Sequence, residues 1–78
     1  MKTYRKLFEL FTVHADAERL RALDADSWLQ DLGLDSIAMM GLVVDVEDTF
    51  GVVLDQRTLF ELRTVADLVR WIDQQEAA

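Results

Sequence analysis

Proline is absent from the chain, and glycine occurs only at positions 33, 41 and 51. These two residue types most often interrupt regular helices and form sharp turns. Leu, Ala, Val, Glu, Asp and Arg dominate the remaining positions, and most of them are tolerated well in helices. We therefore expect an all-α protein with few sharp turns, without internal repeats or low-complexity tracts.

The length of 78 residues predicts a single domain over residues 1–78. A domain this small buries only a modest share of its surface, so we do not expect a deep enzyme cleft. Cysteine is absent, which excludes disulfides and thiolate metal sites and leaves apolar packing to stabilise the fold. No apolar stretch is long enough for a signal peptide core or a membrane span, and we expect a soluble, cytoplasmic monomer.

The acidic charge is concentrated in one part of the chain. The formal net charge is −7. Residues 1–21 hold five bases and three acids, whereas residues 22–78 hold three bases and twelve acids. From Asp24 to Asp55, both included, there are eight acids and no Lys or Arg. Such a field repels nucleic acid and attracts proteins with basic patches, although acids also serve simply to keep a small domain soluble.

The first predicted helix covers residues 3–14, where apolar residues recur at spacings of three and four. They are Tyr4, Leu7, Phe8, Leu10 and Phe11. His14 closes this segment, and we assign it no chemistry. Ala17 to Leu23 could form a helical turn or continue the first helix. Asp24 to Asp35 is predicted to be a long loop held to the core by apolar side chains, with Trp28 as a core anchor.

A second helix is predicted from Ser36 to Phe50. Asp35 is a good N-cap, and Gly51 supplies a C-terminal stop. Asp55 can cap a brief third helix through Gln56–Leu62.

A fourth helix follows Thr64, whose spacing from Asp67 resembles a capping box, and is expected to end near Gln74. The prediction is a four-helix bundle with a long loop after the first helix and a short third helix. The apolar residues whose packing would set the depth of any interior pocket are Val43, Val46, Leu59, Leu62 and Ile72.

The segment Asp31-Leu32-Gly33-Leu34-Asp35-Ser36-Ile37 places a serine at the first position of a helix, after a glycine-bearing loop and an acid. The Ser36 hydroxyl is therefore expected to be exposed, and a phosphate on it would lie beside the positive end of the helix dipole. Asp35 could support the attachment of a metal-bound cofactor at this position.

The segments Leu32–Ile37, Glu47–Gly51 and Arg63–Leu68 resemble those of the acyl carrier protein family. The resemblance covers nearly all of the chain and is most specific over residues 31–72. It implies that Ser36 is esterified by 4'-phosphopantetheine, which a phosphopantetheinyl transferase takes from coenzyme A. The arm would hold an acyl or aminoacyl group as a thioester, so the chain would be a carrier and not an enzyme.

The resemblance also implies partners: an acyl- or aminoacyl-loading ligase and downstream biosynthetic enzymes with basic patches. Their contact surface would be the second helix. Its candidate residues are Ile37, Met40, Asp45, Glu47 and Asp48, with Asp35 as a further acid and Met39 as a further apolar residue.

Two positions of the second helix depart from the pattern common in fatty-acid carriers, where positions 38 and 41 are often acidic. Here they are Ala38 and Gly41, and the usual proline before the third helix is replaced by Leu54. These departures favour a specialised pathway, such as polyketide, nonribosomal peptide or aminoacyl transfer, over fatty-acid synthesis.

The sequence leaves two other functions open. One is a helical interaction domain without a cofactor, in which Asp35 and Ser36 only begin a helix. The other is a hydrolase using Ser36 with His14, although Gly-x-Ser-x-Gly is absent from the sequence.

Overall fold

A computed structural model describes residues 2–77 of the chain. These residues form helices and the segments that connect them. The α-helices are α1 (Lys2–His14), α2 (Ala17–Arg21), α3 (Ser36–Phe50), α4 (Gln56–Glu61) and α5 (Val65–Ala77), with a 3₁₀ helix at Leu29–Leu32. The all-α prediction is confirmed, and α1, α3, α4 and α5 are the four predicted helices. Within residues 2–77, no helix has the length and apolar content needed to cross a bilayer.

The ends of α3 follow from two flanking residues. The Asp35 carboxylate accepts a hydrogen bond from the Ala38 amide at 2.8 Å, which satisfies a donor of the first helical turn. At the other end Gly51 has φ of 66°, a left-handed conformation that glycine adopts without steric cost. The predicted bounds Ser36–Phe50 are confirmed.

The start of α5 is a reciprocal capping box. The Asp67 amide donates to Thr64 Oγ1 at 3.0 Å, and the Thr64 amide donates to Asp67 Oδ2 at 3.1 Å. Aspartate thus performs the role that Glu or Gln usually has in this motif. The helix continues to Ala77, beyond the predicted end near Gln74, because no helix-breaking residue lies in this segment.

The core lies where α1 meets α3 and α5. Leu7 and Phe11 of α1 are almost completely buried between these two helices. The other buried apolar residues are Leu29, Leu32, Leu42, Val46, Phe50, Leu54, Val65, Leu68, Val69 and Ile72. No polar or charged side chain is buried among residues 2–77. Apolar packing therefore stabilises the bundle, as the absence of cysteine predicted.

The long connection between α1 and α3 is more ordered than a simple loop. Asp16 caps the short helix α2 through the Arg19 amide at 3.0 Å, so this segment begins a new helix and does not continue α1. Further along, the Leu29 amide donates to the Arg63 carbonyl at 2.7 Å. The Val65 amide donates to the Ser27 carbonyl at 2.9 Å. These backbone bonds fasten the connection to the start of α5.

Trp28 is not the core anchor that the sequence predicted, because its side chain is 46% exposed. Its backbone is extended (φ −80°, ψ 143°) and forms a β-bridge with Thr64. Successive side chains of an extended segment point to opposite sides. Leu29 therefore enters the core while Trp28 lies on the outer side of the same segment.

Candidate functional site

Ser36 is the first residue of α3 and is exposed, as its place after an N-cap predicted. The preceding carboxylate of Asp35 is occupied by its hydrogen bond to the Ala38 amide. The side chain of Asp35 is therefore folded over the first turn of α3 and fixes the direction in which the helix begins. A hydroxyl in this position is accessible to a large reagent and lies at the positive end of the helix dipole.

The loop before Ser36 contains Gly33, whose contact with Arg19 was not predicted from the sequence. Gly33 has φ of 68°, and the Arg19 side chain lies directly over it. A Cβ atom at position 33 would overlap Arg19 Nε. The Arg19 guanidinium also donates to the Asp31 carbonyl at 3.3 Å. The positive φ favours glycine at position 33, whereas the flexible end of the Arg19 side chain could shift away from a Cβ atom there. No sequence pattern indicated the contact, because it joins residues of two short elements.

A groove between α3 and α4 opens beside Ser36, with a volume of about 580 Å³. We call it the first groove. Its lining residues are Leu34, Asp35, Ser36, Met39, Met40, Val43, Val44, Leu54, Gln56, Leu59 and Phe60. Of the predicted pocket residues, Val43 and Leu59 line it, whereas Val46 and Ile72 are buried in the core. Ser36 therefore lines a mainly apolar groove.

An apolar stripe runs along the outer face of α3 from Ser36. Ile37 is 80% exposed, Met40 68% and Val44 51%. Spacings of three and four place these side chains on one face of the helix. Val44 was not among the predicted contact residues, because valine in an apolar sequence is easily assigned to the core. Asp48 is exposed one further turn along the same face.

Two acids predicted for the contact surface are engaged within the protein. Asp45 Oδ2 lies 2.6 Å from His14 Nε2, joining α3 to the end of α1. Glu47 Oε2 accepts a hydrogen bond from the Leu54 amide at 2.9 Å, which holds the connection between α3 and α4. The acids of α3 therefore differ in their availability to a partner.

Gly41 lies against His14, which explains why a small residue occurs within α3. A Cβ atom at position 41 would come 3.0 Å from His14 Cε1. His14 therefore leaves little space for a side chain at position 41.

The carboxyl of Asp55 lies at the start of α4, the opposite wall of the first groove. Its pKa is lowered, chiefly by the hydrogen bond from the Thr58 amide, which is 2.8 Å long. This bond caps α4 and is made by the ionised carboxylate. The Asp67 pKa is also lowered, chiefly by the Thr64 amide and next by that of Arg63.

Comparison with known proteins bears directly on this arrangement. The family model for the phosphopantetheine attachment site matches residues 10–72. The acyl carrier protein of Zymomonas mobilis is 31% identical over 75 residues, covering 96% of each chain. The acyl carrier protein of Micrococcus luteus is 45% identical over 51 residues, 65% of this chain and 63% of that protein. The non-reducing polyketide synthase AC of Didymella fabae is 47% identical over 51 residues, 65% of this chain and 2% of that protein.

The chain belongs to the phosphopantetheine attachment family and, within it, to the acyl carrier proteins. It is a carrier for a phosphopantetheine group and not an enzyme. The alternative of an interaction domain without a cofactor is therefore wrong. The hydrolase alternative is wrong as well. In the structure the His14 ring is hydrogen-bonded to Asp45.

Proposed function

We propose that Ser36 is the residue to which phosphopantetheine is attached, and that the chain holds an acyl or aminoacyl group as a thioester on that arm. The observation that carries the proposal is the exposed position of Ser36 at the start of α3, beside an apolar groove. In the attachment reaction the Ser36 oxygen forms a phosphodiester with the pantetheine phosphate of coenzyme A. Adenosine bisphosphate leaves, and the hydroxyl proton is released.

The start of α3 suits a phosphodiester on electrostatic grounds. Helix α3 has 15 residues, so its aligned peptide dipoles place a partial positive charge at Ser36. Anions near a helix N-terminus are stabilised by about 0.3–1 kcal/mol when they are exposed to solvent. Asp35 supports the site by fixing the first turn of the helix, through its bond to the Ala38 amide.

The first groove would shelter the cargo. Its walls are formed mainly by apolar side chains of α3 and α4, among them Val43 and Leu59. An acyl chain that enters it removes apolar surface from water, which contributes about 25 cal/mol for each Å² buried. Met39 and Met40 can adjust to cargo of different shapes, because methionine side chains are unbranched and flexible.

For the pathway, we favour specialised biosynthesis (polyketide, nonribosomal peptide or aminoacyl transfer) over fatty-acid synthesis. Position 38 carries no acid, and the Cβ atom of an acid at position 41 would come 3.0 Å from His14 Cε1, so that the ring would have to shift. A partner that requires acids at these two positions would therefore bind this carrier poorly. Fatty-acid synthesis is the alternative.

The proposed partner surface is the outer face of α3. Ile37 and Met40 supply exposed apolar area next to Ser36. Asp48 supplies an exposed acid at the far end of the same face. Asp45 and Glu47 remain members of the predicted surface, but each would have to keep its internal hydrogen bond while contacting a partner. The partners would be a phosphopantetheinyl transferase, a loading ligase and downstream enzymes.

The attachment site is tested by incubating the protein with coenzyme A and a broad-range phosphopantetheinyl transferase, followed by intact-mass analysis. We expect one added arm on the wild type and on Ser27→Ala, and none on Ser36→Ala. Ser27 is the matched control because it and Ser36 are the two serines of the chain. A folded wild type that gains no arm, or an arm that persists in Ser36→Ala, would contradict the proposal.

The pathway is tested with the arm-bearing protein as substrate for purified fatty-acid synthase components and for aminoacyl- and polyketide-loading ligases. We expect slow turnover by the fatty-acid enzymes and improvement in Ala38→Glu, which restores one acid. Efficient turnover of the wild type by the fatty-acid enzymes would support the alternative pathway instead.

A further inference from the structure

A second groove lies next to the first, between α4 and the start of the 3₁₀ helix at Trp28. Its volume is about 430 Å³. Its lining residues are Trp28, Leu29, Gln30, Met39, Leu59, Phe60, Leu62 and Arg63. Met39, Leu59 and Phe60 line both grooves, so the two spaces meet along these side chains.

We propose that the second groove is a compartment for the far end of the cargo, and that it takes acyl groups ending in an aromatic ring. This inference rests on the proposed function, because the cargo can enter only as an extension of an arm on Ser36. Ser36 lines the first groove and not the second. The acyl group would lie along the first groove and pass the shared side chains to reach Trp28.

The lining of the second groove favours an aromatic ring over a simple alkyl chain. Trp28 and Phe60 present exposed ring surface, 46% and 77% respectively. Aromatic rings attract one another in offset or edge-to-face geometry, by about 0.5–1.5 kcal/mol beyond the effect of buried area. Arg63 and Met39 are also residue types that make favourable contacts with aromatic rings, through the guanidinium and the thioether respectively.

Trp28 is held in place before any cargo arrives. The backbone on both sides of it is fastened, since the Leu29 amide donates to the Arg63 carbonyl and the Val65 amide donates to the Ser27 carbonyl. The backbone of Trp28 therefore loses little freedom when cargo binds, and this lowers the entropic cost of binding. Met39, by contrast, is flexible enough to move aside between the two grooves.

The acid-rich character of the domain does not extend into this groove. No Asp or Glu is among its lining residues, whereas Asp35 lines the first groove. Arg63 and Gln30 are its polar members. The groove is thus free of the carboxylates that would disfavour the electron-rich face of an aromatic ring.

The test uses phosphopantetheine arms carrying either a phenylbutanoyl or a decanoyl group, which have equal numbers of carbon atoms. A broad-range transferase installs each from the corresponding acyl-coenzyme A, and intact mass confirms one arm before any further measurement. A protein that gains no arm would overturn the proposed function, whereas the following measurements concern the second groove alone.

The first measurement is the chemical shift of each indole N–H, assigned with Trp28→Phe and Trp71→Phe. We expect the phenylbutanoyl arm to move the Trp28 signal more than the decanoyl arm does. The Trp71 indole is an internal control, because Trp71 lines neither groove. Equal shifts of the Trp28 signal with both cargoes, or no shift with either, would overturn the proposal.

The second measurement is the rate at which hydroxylamine cleaves each thioester. In Trp28→Ala we expect cleavage of the phenylbutanoyl thioester to be about threefold to tenfold faster than in the wild type, a loss of about 0.7–1.4 kcal/mol of protection. The decanoyl thioester should be cleaved at an unchanged rate. Exposed Val53, which lines neither groove, supplies the control variant Val53→Ala. Equal acceleration for both cargoes would contradict recognition of the ring.

Discussion

His14 Nε2 lies 2.6 Å from Asp45 Oδ2, so that the last residue of α1 is joined to the middle of α3. Both side chains are only partly exposed, so this contact is better shielded from solvent than a contact between two fully exposed side chains. Partners in contact are expected to show coupled effects on stability when both are changed. The contact therefore offers a direct measure of how α1 supports the helix that begins at Ser36.

We predict that His14→Ala and Asp45→Ala are not additive in their effects on the free energy of unfolding. The coupling energy should be about 0.5–1 kcal/mol in favour of the pair, within the range of net contributions that intramolecular hydrogen bonds make to stability. Urea denaturation of the wild type, both single variants and the double variant measures it. The combination of His14→Ala with Asp48→Ala is the control and should be additive. A coupling energy near zero would show that the pair contributes nothing to stability.

Gly41→Ala should have a different effect in two backgrounds. Alanine is favoured over glycine within a helix by up to about 1 kcal/mol, but here the new methyl group would come 3.0 Å from His14 Cε1. We expect little stabilisation in the wild type and nearly the full gain in His14→Ala. Urea midpoints of the four proteins provide the measurement. An equal gain in both backgrounds would mean that the imidazole moves aside without cost.

The same contact shows what sequence reasoning could and could not predict. Helix α3 and its caps were predictable because Asp35, Gly51 and the apolar spacing all act locally. The contact of His14 with Asp45 could not be predicted from the sequence, since it depends on how α1 packs against α3. From the sequence alone, Gly41 could be described only as a position without the common acid and as a residue that weakens a helix.

A similar limit applies to the long connection and to the surface. Trp28 and Val44 are both apolar, and burial is the reasonable prediction for such residues. Their exposure follows from the backbone: an extended segment turns Trp28 outward, and the direction of α3 turns Val44 away from the core. The N-cap of α3 at Asp35 was predictable, whereas the contact of Arg19 with Gly33 required the three-dimensional arrangement.

The hydrogen bond between Glu47 and the Leu54 amide should stabilise the connection between α3 and α4. Leu54 is buried, so loss of the acceptor would leave its amide poorly satisfied, at a cost of about 1–3 kcal/mol. We predict this loss of unfolding free energy for Glu47→Ala, and a smaller loss for Glu47→Gln, which keeps an acceptor oxygen. Asp48→Ala, at the neighbouring exposed position, should change stability by less than about 0.5 kcal/mol. Similar losses at positions 47 and 48 would argue against the bond.

Acid should weaken the domain through the two capping carboxylates. The folded pKa values of Asp55 and Asp67 lie below the ordinary value of 3.8. Their stabilising effect is therefore complete above that value and is lost as the pH falls from 3.8 through the folded pKa values. We predict that Asp67→Asn reduces the dependence of the urea midpoint on pH in this acidic range. Asp26→Asn, which changes an exposed acid outside the caps, is the control. An unchanged pH dependence in Asp67→Asn would contradict the assignment.

The apolar stripe on α3 should contribute more to docking of the phosphopantetheinyl transferase than the internally bonded Asp45. Val44→Ala and Met40→Ala each remove exposed apolar area from the face that begins at Ser36. We predict that each raises the KM of the transfer reaction about fivefold, equivalent to about 1 kcal/mol of binding energy, with kcat little changed. Steady-state kinetics with coenzyme A in excess measure both constants.

Val53→Ala is the control for this experiment, because Val53 is an exposed residue of the same type as Val44 but lies outside α3. Its KM should equal that of the wild type. Added salt separates the contribution of the apolar residues from that of the acids, since salt screens charged contacts and leaves apolar contacts largely intact. If apolar contact dominates, the KM of the wild type will rise only slightly with salt. A steep rise with salt, together with unchanged KM in Val44→Ala and Met40→Ala, would assign docking to the acids.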